Sequence, residues 1–212
     1  MASRAPRAIA LASGKGGVGR STLTGALAVC AVKEGARVAL IDAEPQESLT
    51  LWWRLRGKPG NPFLHPYSGD LSADVEGLRR EGYQWIFIDT VPAMLDHIEH
   101  AIQSADFVLL PTRVSVFDLA ATRDVVSICK EYKKPFAFVL NATDAKWTKG
   151  IQSALAVLKK LGPVIPKSIR QRTVYASAIT TGRTAGERDK VAAAEISALW
   201  SAVKKLAAGA GK

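Results

Sequence analysis

The sequence predicts an α/β fold in which a doubly wound, mostly parallel sheet carries helices on both of its faces. Three observations predict this class. Short apolar runs with the length of buried strands alternate with stretches of helical periodicity along the chain. A glycine-rich turn joins the first such run to the first helical stretch, and two later runs end in a carboxylate. With 212 residues, of which 48% are hydrophobic, we expect a single domain over residues 1–212.

The first strand and helix are joined by a turn with the composition of a phosphate-binding loop. An apolar run at 9–12 leads into this turn, and a helical pattern begins at Arg20. The turn contains Gly14, Gly16, Gly17 and Gly19. Glycines let backbone N–H groups point into one concavity, and the dipole of the following helix attracts the same anion. The general pattern G-x-x-x-x-G-K-[ST] is matched except that Arg20 stands at the lysine position, and Lys15 is an additional cation.

Residues 15–22, Lys-Gly-Gly-Val-Gly-Arg-Ser-Thr, resemble the deviant Walker A motif of the ParA/MinD family, whose pattern is K-G-G-x-G-K-[ST]-[ST]. The resemblance implies a P-loop NTPase fold with ATP and Mg²⁺ as cofactors. It also implies a nucleotide-sandwich homodimer, formed on ATP binding, in which Lys15 reaches the nucleotide of the partner copy. The nucleotide-binding residues that it implies are Gly14, Lys15, Gly16, Gly17, Val18, Gly19, Arg20, Ser21, Thr22, Asp89 and Asn141.

The second predicted strand, at 37–42, ends in Asp42, and the preceding helix ends at Gly35. A strand, a helix and a strand at this spacing form a βαβ unit, which places Asp42 beside the nucleotide. Residues 40–53 resemble the second motif of the family, D-x-D-P-Q-x-S, except that Glu44 stands where the family has an aspartate that helps to position the attacking water. The catalytic residues implied by the resemblance are Lys15, Asp42 and Glu44. A helix-start acid is the alternative interpretation of Glu44.

Two further predicted strands follow a loop region with a short strand at 63–65 and a helix at 72–81. The run at 83–89 ends in Asp89 and has the form of a Walker B strand, whose acid holds Mg²⁺ or its water shell opposite the hydroxyl of Ser21. The metal residues predicted in this way are Ser21, Asp42 and Asp89. Residues 89–92 resemble the D-T-x-P motif of the family.

Residues 106–111 form the next predicted strand, and a long helix is predicted from 115 to about 133. This stretch resembles the A-D-x-V-L-x-P … S-x-F-D-L pattern of the family. The following strand, 135–141, ends in Asn141. The resemblance implies that Asn141 contacts adenine, whereas the N-x-x-D spacing of 141–144 is also typical of guanine-reading loops. A plain turn residue is the third interpretation, and the resemblance favours ATP.

The last quarter of the chain is basic, and the whole chain has a net charge of +10. We predict a helix at 151–161, a short last strand within 164–169 and a final helix at 192–206. Non-specific DNA binding is predicted for Arg170, Arg172, Arg183, Arg188, Lys190, Lys204 and Lys205. A solvated surface without a partner is the alternative. The apolar stripe of the final helix fits either packing on the sheet, which we favour, or a membrane-lying helix like that of MinD relatives.

Together these features resemble a small ParA partition ATPase without an N-terminal helix-turn-helix domain. The resemblance implies that the chain segregates or positions a DNA cargo, a plasmid or a chromosome, and that a ParB-like centromere-binding partner stimulates hydrolysis. Two isolated cysteines indicate a reducing cytoplasm, with nucleoid association in the ATP-bound state. Arg20 and Glu44 predict weak or very slow hydrolysis, because a guanidinium cannot occupy the place of an ammonium group. The alternatives are a nucleotide-dependent DNA-binding scaffold without useful hydrolysis and a MinD-like membrane-associated ATPase.

Overall fold

The computed structural model describes residues 7–92, 94–144, 146 and 148–209, and for residues 116–118 it describes the backbone alone. Six strands form one sheet in the order β3-β2-β4-β1-β5-β6, and all neighbouring strands are parallel. The strands are β1 (Arg7–Leu11), β2 (Val38–Asp42), β3 (Phe63–His65), β4 (Trp85–Asp89), β5 (Phe107–Thr112) and β6 (Phe136–Leu140). The doubly wound class predicted from the sequence is confirmed, and every strand pair in the described sheet is parallel rather than most of them.

Helices connect consecutive strands, as parallel neighbours require. They are α1 (Arg20–Lys33), α2 (Ser48–Leu55), α3 (Leu71–Arg80), α4 (Leu95–Ser104), α5 (Val116–Glu131), α6 (Thr148–Leu161), α7 (Thr173–Ile179) and α8 (Lys190–Gly209). A short 3₁₀ helix, Ala185–Glu187, precedes α8. The sequence did not predict α2 and α7, because eight and seven residues are too few to show a helical period against background.

The two faces of the sheet bury separate apolar layers, because successive side chains of a strand point in opposite directions. In β1, Ile9 and Leu11 pack with α1 and α8 on one face, while Ala8 and Ala10 pack with α3 and α4 on the other. Helices α5 and α6 extend the second face over β5 and β6. This alternation keeps the strands rigid and fixes the positions of the loops at their carboxyl ends.

The apolar stripe of α8 packs on the sheet. The Trp200 ring lies 4.7 Å from the Trp85 ring and 5.9 Å from the Phe87 ring, measured between centroids, and Leu199 and Val203 are fully buried. Tertiary packing therefore accounts for the amphipathic pattern that also suggested a membrane-lying helix. Within the described ranges, no helix combines the length and apolar character needed to cross a bilayer.

The predicted short strand within 164–169 is wrong as a strand. Two isolated parallel bridges stand in its place, Phe138 with Val164 and Thr143 with Arg170. The Ile165 N–H donates to the Phe138 carbonyl and the Ile169 N–H donates to the Leu140 carbonyl, so the segment advances four residues while β6 advances two, and the ladder is interrupted.

Candidate nucleotide-binding site

The site lies where the carboxyl ends of three neighbouring strands meet. Leu11, the last residue of β1, is in register with Asp89 at the end of β4, and Asp89 is in register with Asp42 at the end of β2. Ligands of parallel sheets bind at this edge. The predicted phosphate loop, Asp42 and Asp89 are therefore brought together by strand register alone.

Backbone geometry makes the turn between β1 and α1 a cradle. Lys15, Gly16 and Gly17 are exposed, so this part of the backbone faces outward. Gly17 and Gly19 have φ angles of +73° and +94°, which favour glycine. No side chain caps the start of α1 at Gly19, which leaves its first N–H groups for an anion.

Asn141 braces this loop from the end of β6. Its Nδ2 donates a hydrogen bond of 2.7 Å to the Val18 carbonyl, and the residue is buried. A Cβ added at Gly19 would lie 2.3 Å from the same Nδ2 atom, so the close approach requires glycine. Asn141 also borders a cleft of about 270 Å³ together with Arg113, Arg170 and Tyr175, and its base contact stays a prediction.

The Arg20 side chain is buried beneath the loop, which the sequence did not indicate. Its Nε donates to the Thr90 carbonyl at 3.1 Å, and its Nη1 donates to the Lys15 carbonyl at 3.0 Å and to the Ser13 hydroxyl. Burial lowers the pKa of Arg20, and the charges of Asp89 and Glu44 oppose this change. The guanidinium therefore ties the loop to the segment that follows β4.

Asp89 is the strongest candidate for holding the metal. Its side chain is fully buried, and among the described residues neither carboxylate oxygen has a hydrogen-bond partner. Burial raises the pKa of Asp89 to about 7. The Ser21 hydroxyl lies nearby and opposes this rise, although it does not meet the geometry of a hydrogen bond. Mg²⁺ binds in such places through one or two carboxylates, waters and substrate phosphates. The orphaned oxygens therefore fit a magnesium ion and its water shell.

Asp42 is held by the start of α2. One of its carboxylate oxygens accepts hydrogen bonds of 2.8 Å from both the backbone N–H and the hydroxyl of Thr50, and the other accepts from the Glu44 N–H at 3.3 Å. These bonds fix the segment that carries Glu44. The Glu44 side chain lies 3.7 Å from Arg20 and is mostly buried, so it is more than a solvated helix-start acid.

A cleft of about 460 Å³, a size typical of small-molecule sites, opens beside the loop at this edge. The loop and the start of α1 form its polar side, where Arg20, Ser21, Thr22 and Glu44 lie. Its apolar side is formed by Leu51 and Trp52 of α2 and by Tyr175 and Ile179 of α7. The cleft can therefore accept phosphates at one end and an apolar or aromatic group beside them.

A clasp joins α2 to the segment before α8, and sequence reasoning missed it. The Trp52 Nε1 donates to the Arg183 carbonyl at 3.2 Å, and Arg56 donates to the Gly182 carbonyl at 2.9 Å. Arg56 also forms a bidentate pair with Glu187 at 2.8 and 2.9 Å. The pKa of Glu187 falls to about 2, because hydrogen bonds from Arg56 and Thr184 outweigh its burial. The partners are over 120 residues apart, and no local signal predicts them.

The predicted DNA-binding residues do not form one patch. Arg170, Arg183, Arg188, Lys190 and Lys205 are exposed, whereas Arg172 pairs with Glu195 at 2.8 Å and Lys204 pairs with Glu34 at 2.6 Å. Arg170 and Arg172 border the cleft at Asn141, beside the nucleotide loop. Lys205 instead borders an apolar groove with Phe107 and Phe136, the first residues of β5 and β6, at the opposite end of the sheet.

Comparison with known protein families places residues 9–185 in the "CobQ/CobB/MinD/ParA nucleotide binding domain" family model. The "Maintenance of carboxysome distribution protein A" of Halothiobacillus neapolitanus is 28% identical over 96% of this chain and 99% of its own length. The "Chromosome-partitioning ATPase Soj" of Thermus thermophilus is 28% identical over 60% of this chain and 63% of its own.

Solved structures give the same likeness at the level of the fold. An ATP complex of McdA from Cyanothece superposes with a TM-score of 0.78 at 20% identity, covering 97% of both chains. The septum site-determining protein MinD of Pyrococcus horikoshii, complexed with Mg-ADP, gives 0.75 at 21% identity, covering 97% of this chain and 98% of that one. The order and direction of the strands around the loop are therefore those of nucleotide-binding relatives.

Proposed function

Because the chain belongs to the CobQ/CobB/MinD/ParA family of nucleotide-binding domains, we propose that it positions a cargo in the cell through cycles of ATP binding and hydrolysis. The chain is a P-loop ATPase, and ATP and Mg²⁺ are its cofactors. The observation that carries the proposal is the phosphate cradle beside the buried, unpartnered carboxylate of Asp89. A cradle for phosphate and an acid for its metal at one sheet edge are what triphosphate binding needs.

The residues of the site divide the work of holding the nucleotide. The backbone of 16–20 and the start of α1 bind the phosphates, because exposed N–H groups and the helix dipole attract negative charge. Ser21 and Asp89 hold Mg²⁺, with Asp42 beside Asp89 oriented by Thr50. When bound, the metal neutralises charge on the β- and γ-phosphates. Asn141 and Arg20 keep the loop in shape from opposite sides.

Two copies of the chain close over ATP in the cycle that we propose. Lys15 lies on the exposed crest of the loop, where its ammonium group can extend toward the nucleotide of a second copy. Leu51 and Leu55 of α2 are exposed beside the cleft, and a second copy would remove them from water. Glu44 and Asp42 would orient the attacking water in this arrangement.

In this proposal the dimer binds DNA without sequence preference. The bound DNA is either the surface along which a cargo is positioned or the cargo itself. Support comes from the exposed cations Arg170, Arg183, Arg188 and Lys190, of which Arg170 and Arg183 border the two clefts beside the loop. A plasmid or a chromosome, bound through a ParB-like partner, is the cargo that we propose first. The ATP-bound dimer would then be associated with the nucleoid in the cytoplasm.

A protein compartment is the second candidate cargo. It is favoured by the carboxysome distribution protein, whose likeness extends over nearly the whole of both chains. The two cargoes predict different partners, since one requires a centromere-binding protein and the other a protein on the compartment surface. Fluorescence microscopy of the tagged chain in its own cell distinguishes the two cargoes. It shows whether the DNA molecule or the protein compartment moves together with the chain.

Retention on DNA-coated beads tests the proposal. We expect retention with ATP and Mg²⁺ and its loss with ADP, together with a slow ATP turnover that rises when DNA and partner are added. Equal retention with ATP, ADP and no nucleotide would contradict it. ATP-dependent retention with zero turnover would favour the scaffold without useful hydrolysis.

A further inference from the structure

Two residues that depart from the family motifs contact each other in the cleft. Arg20 stands at the motif lysine and Glu44 at the motif aspartate, and the Arg20 Nη2 lies 3.7 Å from the Glu44 Oε1. Both side chains are largely buried, at 4% and 12% exposure. An ion pair with so little water around it is screened weakly, so each charge strongly affects what the other can bind.

The three nitrogens of the Arg20 guanidinium make two kinds of contact, with the loop and with Glu44. Its Nε and Nη1 atoms donate to Thr90, Lys15 and Ser13, which fixes the plane of the guanidinium beneath the loop. The Nη2 atom is left to face Glu44, and both residues border the cleft of about 460 Å³ beside Ser21. The edge of the guanidinium that does not bind the loop is thus the one that faces the acidic partner.

We propose that Glu44 competes with nucleotide phosphate for the Nη2 edge of Arg20. In the nucleotide-free protein the Glu44 carboxylate neutralises Arg20, and an incoming phosphate oxygen replaces it. Glu44 is therefore a positioning residue that sets nucleotide affinity through Arg20. This inference rests on the proposed function, since it requires ATP in the cleft.

Substitutions that change the length or the charge of the side chain at position 44 distinguish this competition from simple repulsion between Glu44 and phosphate. Aspartate at position 44 keeps the charge but is one methylene shorter, so a contact that is already 3.7 Å long opens beyond ion-pair range. Glutamine keeps the length and removes the charge. Competition predicts that both changes strengthen nucleotide binding, whereas repulsion predicts an effect of glutamine alone.

Glu47 offers a matched control three positions along the same segment. It is exposed, and its partner is Arg54 at 3.6 Å on the surface rather than a residue of the cleft. The Glu47→Gln variant removes the same charge from the same segment without freeing Arg20. Its nucleotide affinity is expected to match that of the parent.

Titration of the full chain with a fluorescent ATP analogue and Mg²⁺ tests the inference. We expect Glu44→Asp and Glu44→Gln to lower the Kd by about fivefold each, in line with the release of one partly buried ion pair, and Glu47→Gln to leave it unchanged. Tighter binding by Glu44→Gln alone, or by neither variant, overturns the inference while ATP binding by the parent upholds the proposed function. A parent that binds no ATP overturns both.

Discussion

The charged groups around the nucleotide loop and those of the C-terminal segment are arranged in opposite ways. At the loop, Arg20 is buried at the start of α1 and fixed by hydrogen bonds, and Asp89 is buried at the end of β4 and fixed by strand register. In the C-terminal segment, Arg183 and Arg188 are exposed, and Lys204 is neutralised by Glu34. Burial makes each charge at the loop individually decisive, whereas exposed charges act by number and are screened by salt.

This difference predicts how strongly single substitutions in each region affect binding. A single change at a closely packed position of the loop, such as Gly19, removes a geometry that nothing else supplies, so nucleotide affinity should fall steeply. A single change among the exposed cations removes one contact of several, so DNA binding should weaken in proportion. The clasp through Arg56 and Glu187 links the two regions, because α2 contacts Asp42 at its start and the C-terminal segment at its end.

Replacing Gly19 gives the largest expected effect. In Gly19→Ala the new Cβ lies 2.3 Å from the Asn141 Nδ2 and the backbone keeps a φ of +94°, so the loop must move. We expect ATP affinity to fall by at least about a hundredfold, because the cradle and its brace are lost together. Isothermal titration with ATP and Mg²⁺ measures the loss.

Gly57→Ala is the matched control for this change. Gly57 also has a left-handed backbone, with φ at +89°, but a Cβ there meets nothing within 4 Å. The Gly57→Ala variant should lower the free energy of unfolding by about 1 kcal/mol and leave ATP binding intact. Equal loss of binding in both variants would show that general strain, and not the contact with Asn141, governs the loop.

The next effect concerns the buried acid. Because the pKa of Asp89 is raised from 3.8 to about 7, the folded protein prefers the neutral acid. The free energy of unfolding should therefore fall as pH rises from about 4 to about 7, by up to about 4 kcal/mol from this group. In Asp89→Asn this part of the pH dependence disappears, which melting temperatures measured across that range without nucleotide would reveal.

Addition of ATP and Mg²⁺ at pH 8 provides the second arm of this test. The parent should melt at a higher temperature, since a ligand of the folded state stabilises it, and Asp89→Asn should gain much less. Parallel pH curves for the two proteins would show that Asp89 does not titrate in this range, and equal gains on adding nucleotide and metal would rule out Asp89 as the metal residue.

The smallest effect is expected among the basic residues. Arg183 is 62% exposed and pairs only loosely with Glu187, at 3.6 Å, whereas Lys204 is tied to both oxygens of Glu34 at 2.6 and 2.8 Å. Arg183→Gln should reduce the slope of log affinity for DNA against log salt by about 1, and Lys204→Gln by much less. Fluorescence anisotropy with a duplex at several salt concentrations compares them. Slopes equal to that of the parent in both variants would show that neither residue neutralises a phosphate.

Local patterns explain which features the sequence could predict. The glycines of the loop and the acids at 42 and 89 each stand within a few residues of an apolar run, so each is visible locally, and strand register then brings them together. The direction of the Arg20 side chain could not be predicted, because its acceptor Thr90 comes from the segment after β4, 70 residues away. The same holds for Asn141 beneath Val18, 123 residues apart.

The basic segment shows the opposite case, in which composition gives the charges but not their surroundings. Burial and pairing depend on which acids the fold places nearby, here Glu34 and Glu195, and the DNA contacts of the basic residues stay a prediction. The failed strand after β6 has a similar cause. Its apolar residues suit a strand, but the segment advances four residues between Ile165 and Ile169 while β6 advances two, and no local pattern reports this loss of register.

Molar mass in the presence of nucleotide tests the central proposal most directly. With ATP and Mg²⁺, light scattering after size exclusion should give twice the monomer mass of 22.7 kDa for the parent, and the monomer mass with ADP. Lys15→Gln should still bind ATP but remain a monomer, because its amine no longer reaches the second nucleotide. A parent that stays at the monomer mass with ATP fully bound would contradict the two-copy closure on which the positioning cycle depends.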